Sequence, residues 1–351
     1  MKCFWNSLLL LFSLVYIVSS LLPISTADNW WVRVWDFPRA QLAVLGLICL
    51  VLASFISLSF WIKTILVILL CIALALDVYR IYPYTFIHGV EAKENTLTSG
   101  TQKISILEAN VLQSNGDHEV LKKFIREKSP DIFFLTEVND DWARSLREFD
   151  STYPHHLLHP QDNTYGLAFY SRLPWHHAKV NFLIEAEIPS VEAEIILPSG
   201  DSVQVYGLHP RPPRPQNKFT TERDAELIKV ARSAKATERA VLLVGDLNDV
   251  AWSHTTRLFR RVSRMLDIRI GRGFFPTFPV GYGVFRFPID HVFISDHFRV
   301  ADVQVLSDIG SDHYPLWVTL SYEPGLTEFQ EAPKADQENR KEAQEILEKV
   351  K

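Results

Sequence analysis

In the stretch LLVGDLNDV (242–250), apolar residues run into Gly245, Asp246, Leu247, Asn248 and Asp249. Residues i and i+2 of a strand share a face. A strand ending here therefore aims a carboxylate (Asp246) and an amide (Asn248) the same way. Gly, Asp and Asn are equally the residues of an ordinary turn, so the stretch alone has two readings. The pattern recurs, however. Asn110 closes KISILEANVL (103–112), Glu137 closes DIFFLTEV (131–138), and His209 follows SVQVYGL (202–208). Asp290, beside His291, opens DHVFIS, and Asp312 and His313 stand immediately before YPLWVTLSY. Polar groups at the ends of six apolar segments fit one rim of a sheet structure, where sites tend to form.

Phosphoester hydrolysis is the chemistry that needs this set. A phosphate ester is anionic and repels hydroxide, and a divalent cation offsets that charge. Mg²⁺ takes oxygen ligands, with only one or two protein carboxylates. Glu137 supplies a carboxylate and Asn110 a neutral oxygen. Asp246 can orient or deprotonate water, and Asn248 can donate to a phosphoryl oxygen. A histidine backed by an aspartate, His313 with Asp290, can donate to the phosphate. Arg211 and Arg214, in HPRPPRPQNK (209–218), suit an anionic substrate.

These residues must be carried by strands with a few helices inserted between them. Strands are expected at 103–112, 131–138, 166–172, 191–197 and 202–208, the last two as a hairpin. Helices are expected after Asn115, with Val120, Leu121, Phe124 and Ile125 on one face, over 139–149, and over 216–235. Many strands without strict alternation point to two packed sheets with helices outside. Residues 322–351 hold eight acids and five bases and read as an exposed helix or a disordered, charged C-terminal tail.

The first ninety residues differ. They hold five basic and three acidic groups, which leaves the remainder with a net charge of −7 and argues against a sequence-blind duplex-binding surface. Apolar runs at 7–24, 42–62 and 65–76, the last extended toward Tyr84, predict about three transmembrane helices, with Trp and Tyr at their ends. Residues 1–90 are thus expected as a membrane region, 91–102 as a linker, 103–321 as the catalytic domain and 322–351 as the tail. Ser25-Thr26-Ala27 also resembles a signal-peptide cleavage pattern. The expected setting is a multi-pass protein with the lipid bilayer as partner, its catalytic domain leaning to the extracytoplasmic side, and no obligate protein partner. All three cysteines lie in this region, which leaves the catalytic part without a thiolate site.

Taken in order, NV (110–111), TEV (136–138), GLHP (207–210), GDLND (245–249), IDHVFIS (289–295) and SDHYP (311–315) resemble the endonuclease/exonuclease/phosphatase superfamily, and the N-terminal layout around WDFPRAQ (35–41) resembles its membrane-anchored bacterial branch, which would place the chain in an inner membrane. The resemblance implies a two-sheet, four-layer α/β sandwich of the deoxyribonuclease I-like type, preceded by transmembrane helices. It implies Mg²⁺, with Mn²⁺ as the alternative, held by Glu137, Asn110 and Asp312. It further implies water activation by Asp246, phosphate contacts from Asn248, His313 and His209, and a supporting role for Asp290. His209 replaces the tyrosine of abasic-site endonucleases and Leu112 their aspartate, which points away from that branch. The substrate implied is a phosphodiester or phosphomonoester: nucleic acid, phospholipid or sugar phosphate. The competing expectation is a catalytically silent, membrane-tethered binding module that keeps the fold.

Overall fold

The computed structural model of the chain describes residues 2–97 and 102–351. Helices α1 (Lys2–Leu21), α2 (Trp30–Arg33), α3 (Arg39–Ala53) and α4 (Phe60–Ile81) come first. Then follow β1 (Lys103–Asn110), α5 (Glu119–Lys128), β2 (Ile132–Thr136), α6 (Asp140–Leu146), β3 (His155–His159), β4 (Leu167–Ser171), β5 (Trp175–Asn181), β6 (Ser190–Ile196) and β7 (Ser202–Gly207). The chain continues through α7 (Thr221–Ala236), β8 (Ala240–Asp246), α8 (His254–Ser263), β9 (Leu266–Asp267), β10 (Asp290–Ile294), β11 (Phe298–Val305), β12 (Leu316–Tyr322) and α9 (Gln337–Glu348).

Among the described residues the strands form two six-stranded sheets, ordered β11-β12-β1-β2-β4-β3 and β5-β6-β7-β8-β10-β9. Each has one parallel pair at its centre, β1 with β2 and β7 with β8. The sheets pack face to face through alternate residues: Ile104 and Ile106 of β1, Phe134 of β2, Val203 and Val205 of β7, Leu242 and Val244 of β8, and Val292 and Ile294 of β10. The opposite faces are covered by helices, α5 and α6 over Leu107, Phe133 and Leu135, and α7 and α8 over Tyr206, Leu243 and Phe293. This is the expected four-layer arrangement. Burial of these side chains is its main stabilising term, at about 25 cal/mol per Å² of apolar surface removed from water.

Three expectations need correction. The run 42–62 is not one helix: α3 ends at Ala53, a break follows, and α4 begins at Phe60. Serines 54, 57 and 59 interrupt the run, and Lys63 Nζ reaches back to the Ser54 carbonyl (2.7 Å), closing the end of α3. Among the described residues, the helices long and apolar enough to cross a membrane are 4–24 and 60–84; α3 joins that class only if counted with residues 30–36, from which it is bent by 75°. Second, the described part of the linker, 91–97, is packed: Ala92 is buried in the inter-sheet core and Asn95 N donates to Val300 O (2.9 Å). The rest of that expectation, 98–101, lies outside the described residues. Third, α9 is exposed on one face only and docked on the other. Ala343 and Asn339 are buried, and His254 Nε2 meets Glu342 Oε1 at 2.5 Å, so the charged segment lies on α7 and α8.

The N-terminal helices are fastened to the sheet structure. Trp252 Nε1 donates to Asp36 O (2.6 Å), Tyr84 Oη to Ala251 O (2.7 Å) and Thr221 Oγ1 to Asp28 Oδ2 (2.7 Å). Between the helices, fully buried Arg39 donates to Asp77 Oδ1 (2.7 Å), Asp36 Oδ1 (3.0 Å) and Ser20 O (2.7 Å). Tyr16 and Ser20 hydroxyls donate to the other oxygen of Asp77.

Candidate active site

Strand alternation explains how the polar residues meet. On the inter-sheet face of β1 the sequence runs Ile104, Ile106, Glu108, Asn110; on that of β8 it runs Ala240, Leu242, Val244, Asp246. Apolar residues of one parity fill the core, and the same parity turns polar at the rim. Because β10 is antiparallel to β8, its first residue, Asp290, lies opposite Asp246. Because β12 is antiparallel to β1, the segment before it arrives at the end of β1, where Ser311 Oγ donates to Asn110 O (2.7 Å) and accepts from His313 N (3.1 Å).

Asn110 joins the two sheets. Its Nδ2 donates to Glu137 Oε1 (3.1 Å) and to Asp246 Oδ2 (3.2 Å), and its Oδ1 accepts from Leu112 N (3.0 Å). Gln113 N donates to the other Glu137 oxygen (3.2 Å). Asp246 Oδ2 is also approached by His209 Nε2 (3.5 Å) and His313 Nε2 (3.7 Å). The other ring nitrogen of His313 is bonded to Asp290 Oδ2 (2.9 Å). Asp246, Asp290, His209 and His313 are each more than nine-tenths buried. Thus Asn110, Glu137, His209, Asp246, Asp290 and His313 form one connected constellation.

Asn248 is displayed differently from its sequence reading. It does not continue the strand: its φ is +50°, and its backbone N–H donates to Asp246 Oδ1 (2.8 Å), so the strand end and the turn are one device. One amide hydrogen goes to Pro210 O (3.0 Å), and the second remains for a ligand. Glu137 (φ +63°) and Leu112 (φ +56°) are also left-handed. Such conformations are uncommon for residues with a Cβ and cluster at functional sites. Gly245 is required sterically: its φ is +144°, and a Cβ there would lie 2.0 Å from Leu208 O.

The electrostatics follow from burial of several charges together. Burial disfavours the His313 cation, but the carboxylates of Asp290 and Asp246 outweigh it and raise its pKa to about 10. Asp290 would be raised by burial, yet His313 holds it below the ordinary carboxylate value. Burial pushes Asp246 up; His313 opposes this, and the charge of Asp290 adds to it. His209 is lowered, chiefly by burial, and stays neutral near pH 7.

Asp312 has one oxygen, Oδ1, that is buried without a hydrogen-bond partner among the described residues. Its backbone carbonyl is tied to Val280 N (2.8 Å). The ligand-type atoms of Asp246, Asp290 and His313 lie within 4.8 Å of one another, a group to which Glu137 and Asp312 do not belong. In that group the imidazole is already bonded to Asp290, whereas Glu137 and the orphaned Asp312 oxygen offer carboxylate oxygens, which a hard cation such as Mg²⁺ prefers; Asn110, whose Nδ2 faces Glu137 and Asp246, would have to offer its Oδ1. Of the two arginines, half-buried Arg211 is engaged by Glu185 (2.7 Å), and exposed Arg214 lines a cleft beside Asn248.

Sequence reasoning missed several supporting residues. Glu108 is fully buried two residues before Asn110. Burial, then the charges of Asp290 and Asp246, raise it well above the ordinary value. Strand parity was the available signal. Buried Arg223 donates to Asn248 O (3.0 Å) and lies 3.6 Å from Asp249. Asp249 accepts from Ser253 Oγ (2.5 Å) and Thr256 Oγ1 (3.2 Å), which makes the last residue of GDLND a clamp for its own loop.

The two mixed sheets and the site at their shared rim define a deoxyribonuclease I-like fold. A family model described as Endonuclease/Exonuclease/phosphatase family matches residues 101–313, and the chain belongs to that family. Membership gives it a phosphoesterase-type function. No curated protein matches the chain significantly. Among solved structures, D. rerio TDP2 complexed with single strand DNA product is similar at 17% identity and a TM-score of 0.52, over 62% of this chain and 99% of that one. An endonuclease/exonuclease/phosphatase from Beutenbergia cavernae is similar at 18% identity and a TM-score of 0.52, over 63% of this chain and 72% of that one. A family protein from Bacteroides thetaiotaomicron gives 16% and 0.51, over 63% and 95%. At these identities the likeness concerns the fold.

Proposed function

We propose that the chain is a membrane-anchored, divalent-metal-dependent phosphoesterase, with residues 103–321 as its catalytic domain. The observation that carries this reading is the Asn110 amide, which contacts Glu137 in one sheet and Asp246 in the other. Glu137, Asn110 and Asp312 would hold Mg²⁺ or Mn²⁺. When bound, the cation offsets phosphate charge and polarises a phosphoryl oxygen. Asp246, held by the backbone of Asn248, orients the attacking water and takes its proton. His313, kept cationic by Asp290, and the second amide hydrogen of Asn248 donate to the phosphate as charge builds on it. His209 contacts the phosphate as a neutral donor, and Arg214 draws in the anion. The apolar helices would anchor the chain in a bacterial inner membrane, with the domain on its outer side.

The test is hydrolysis of bis(p-nitrophenyl) phosphate by the purified full chain, with Mg²⁺ and with chelator. Activity should need the metal. Asp246→Ala and His313→Ala should each lose about 3 kcal/mol of transition-state stabilisation, a rate loss on the order of a hundredfold. Wild-type rates from both variants, or equal rates in chelator, would refute the assignment. A silent binding module would turn over nothing under either condition.

A further inference from the structure

A cleft of about 450 Å³ adjoins the candidate site, within the usual range for a small-molecule site. One wall is the segment between the membrane helices, with Val34, Trp35 and Phe37; the other is Phe278, Phe287 and Ile289. Asn248, placed above at the phosphate, also lines it. Phe278 links cleft and site directly, because its ring lies 4.8 Å from that of His313. The walls meet where Phe37 and Phe287 pack edge to face at 5.6 Å. The lining is almost wholly apolar, with Arg214 as its one charged residue. An anionic, polar nucleic acid strand would call for the reverse.

The loop that forms the second wall ends in an apolar tip. Tyr282, Val284 and Phe285 are 66%, 79% and 58% exposed. This tip is attached to the start of α3, where Gln41 Nε2 donates to Val284 O (2.6 Å). Exposed apolar side chains beside α3, which packs on the two longer apolar helices, extend the apolar surface that these helices offer to lipid. The cleft thus runs from groups suited to phosphate to a surface suited to hydrocarbon.

We propose that the substrate is a membrane lipid bearing a phosphate ester, whose chain lies in the cleft between residues 34–38 and the 278–287 loop while its phosphate meets Asn248 and His313. This rests on the phosphoesterase reading above and adds the substrate class to it. Water adds to phosphorus, the bond from phosphorus to one ester oxygen breaks, and the alcohol leaves with a proton. The water oxygen stays on the phosphate. Burying the chain removes its surface from water in the cleft as in the bilayer, so the lipid reaches the site without passing through solvent.

A matched pair of diesters tests this: ethyl and hexadecyl p-nitrophenyl phosphate, with the full chain and Mg²⁺ in dodecyl maltoside micelles. They share a leaving group and differ only in the tail. The expected kcat/KM ratio, each ester referred to its total concentration, favours the hexadecyl ester by about a hundredfold, because the micelle around the apolar helices gathers the tailed ester at the cleft while the ethyl ester stays in water. Val34→Trp, which narrows the cleft, and Trp35→Ser, which makes it polar, should each lower that ratio by roughly tenfold. Their melting temperatures report whether the fold is kept, and one folded variant suffices. Equal turnover of both esters, or a preference that both folded variants retain, overturns the lipid assignment and leaves the hydrolase reading standing. A single-stranded oligonucleotide cleaved faster than the hexadecyl ester does the same in favour of nucleic acid. Turnover of no ester removes the hydrolase reading and this inference with it.

Discussion

Glu226 gives a quantitative test of the structure away from the chemistry. It lies on α7, 3% exposed, and its Oε1 has no hydrogen-bond partner among the described residues. Burial first, then the charge of Glu185, raises its pKa from 4.5 to about 8. Between those values the folded chain keeps a proton that the unfolded chain has lost. Unfolding therefore releases a proton, and stability falls as pH rises through this window. At about 1.4 kcal/mol per pKa unit the loss from end to end is roughly 4–5 kcal/mol, and between about pH 5.5 and about pH 9 it is roughly 3 kcal/mol. Glu226→Gln removes the titration but buries an amide whose unmet donors cost about 1–3 kcal/mol at every pH. The variant should therefore be no more stable than the wild type near pH 5.5 and should gain on it steadily toward pH 9. Thermal unfolding of the full chain in detergent, followed by tryptophan fluorescence, reads this as a difference of differences. The shift between variant and wild type should change by roughly 6–12 °C across the range, at about 2–4 °C per kcal/mol for a domain of this size. All other groups titrate alike in both proteins and cancel. A constant offset between the two melting curves would refute the reasoning.

Three further outcomes are expected. Asp290→Asn keeps the shape but removes the charge that holds His313 up near 10, so the alkaline limb of the pH–rate profile should move to lower pH; a limb that stays in place would show that the cationic form is not required. Asp77→Ala leaves the buried Arg39 guanidinium short of a partner and should cost about 3–5 kcal/mol in thermal stability, with Arg39→Met recovering part of it in the double variant; equal losses in single and double variants would count against the pair. Arg223→Met frees the Asn248 carbonyl and leaves Asp249 and Asp224 buried without their cation, so kcat should fall together with stability by about 3–5 kcal/mol; full activity at an unchanged melting temperature would contradict the clamp.

Much of the site was legible because it obeys strand parity. Asn110, Asp246 and Asp290 are rim members of series that are apolar in the core (Ile104 and Ile106; Ala240, Leu242 and Val244; Val292 and Ile294), and sequence shows such a switch from apolar to polar directly. Glu108 belongs to the same series as Ile104, Ile106 and Asn110, so parity places it inward, yet a lone carboxylate in an apolar strand is easily read as solvent-facing until the opposite sheet is known to cover it. Left-handed backbone at Glu137 leaves no compositional trace, whereas Asn248 is of a type that tolerates it, which is why the turn reading of its stretch was open from the start. The strand HHLLH (155–159) lacks the alternation that marks a strand and owes its existence to pairing with β4. The break between α3 and α4 was masked by hydropathy, because Phe55, Ile56 and Leu58 keep the stretch as apolar as a helix. The docking of α9 left a faint signal: Ala343, Ile346 and Leu347 share one face of an otherwise charged helix and pack on the core beneath α7 and α8.

The order in which the site is completed along the chain has a consequence for biosynthesis. Asn110 and Glu137 emerge early, after the apolar helices, whereas Asp290 and His313 arrive only near the end. Each sheet holds half of the machinery, and Asn110 touches Asp246 only once the halves have closed. A nascent polypeptide thus has no competent centre while it is being synthesised, and a phosphate-cleaving activity cannot begin until β12 has taken its place beside β1.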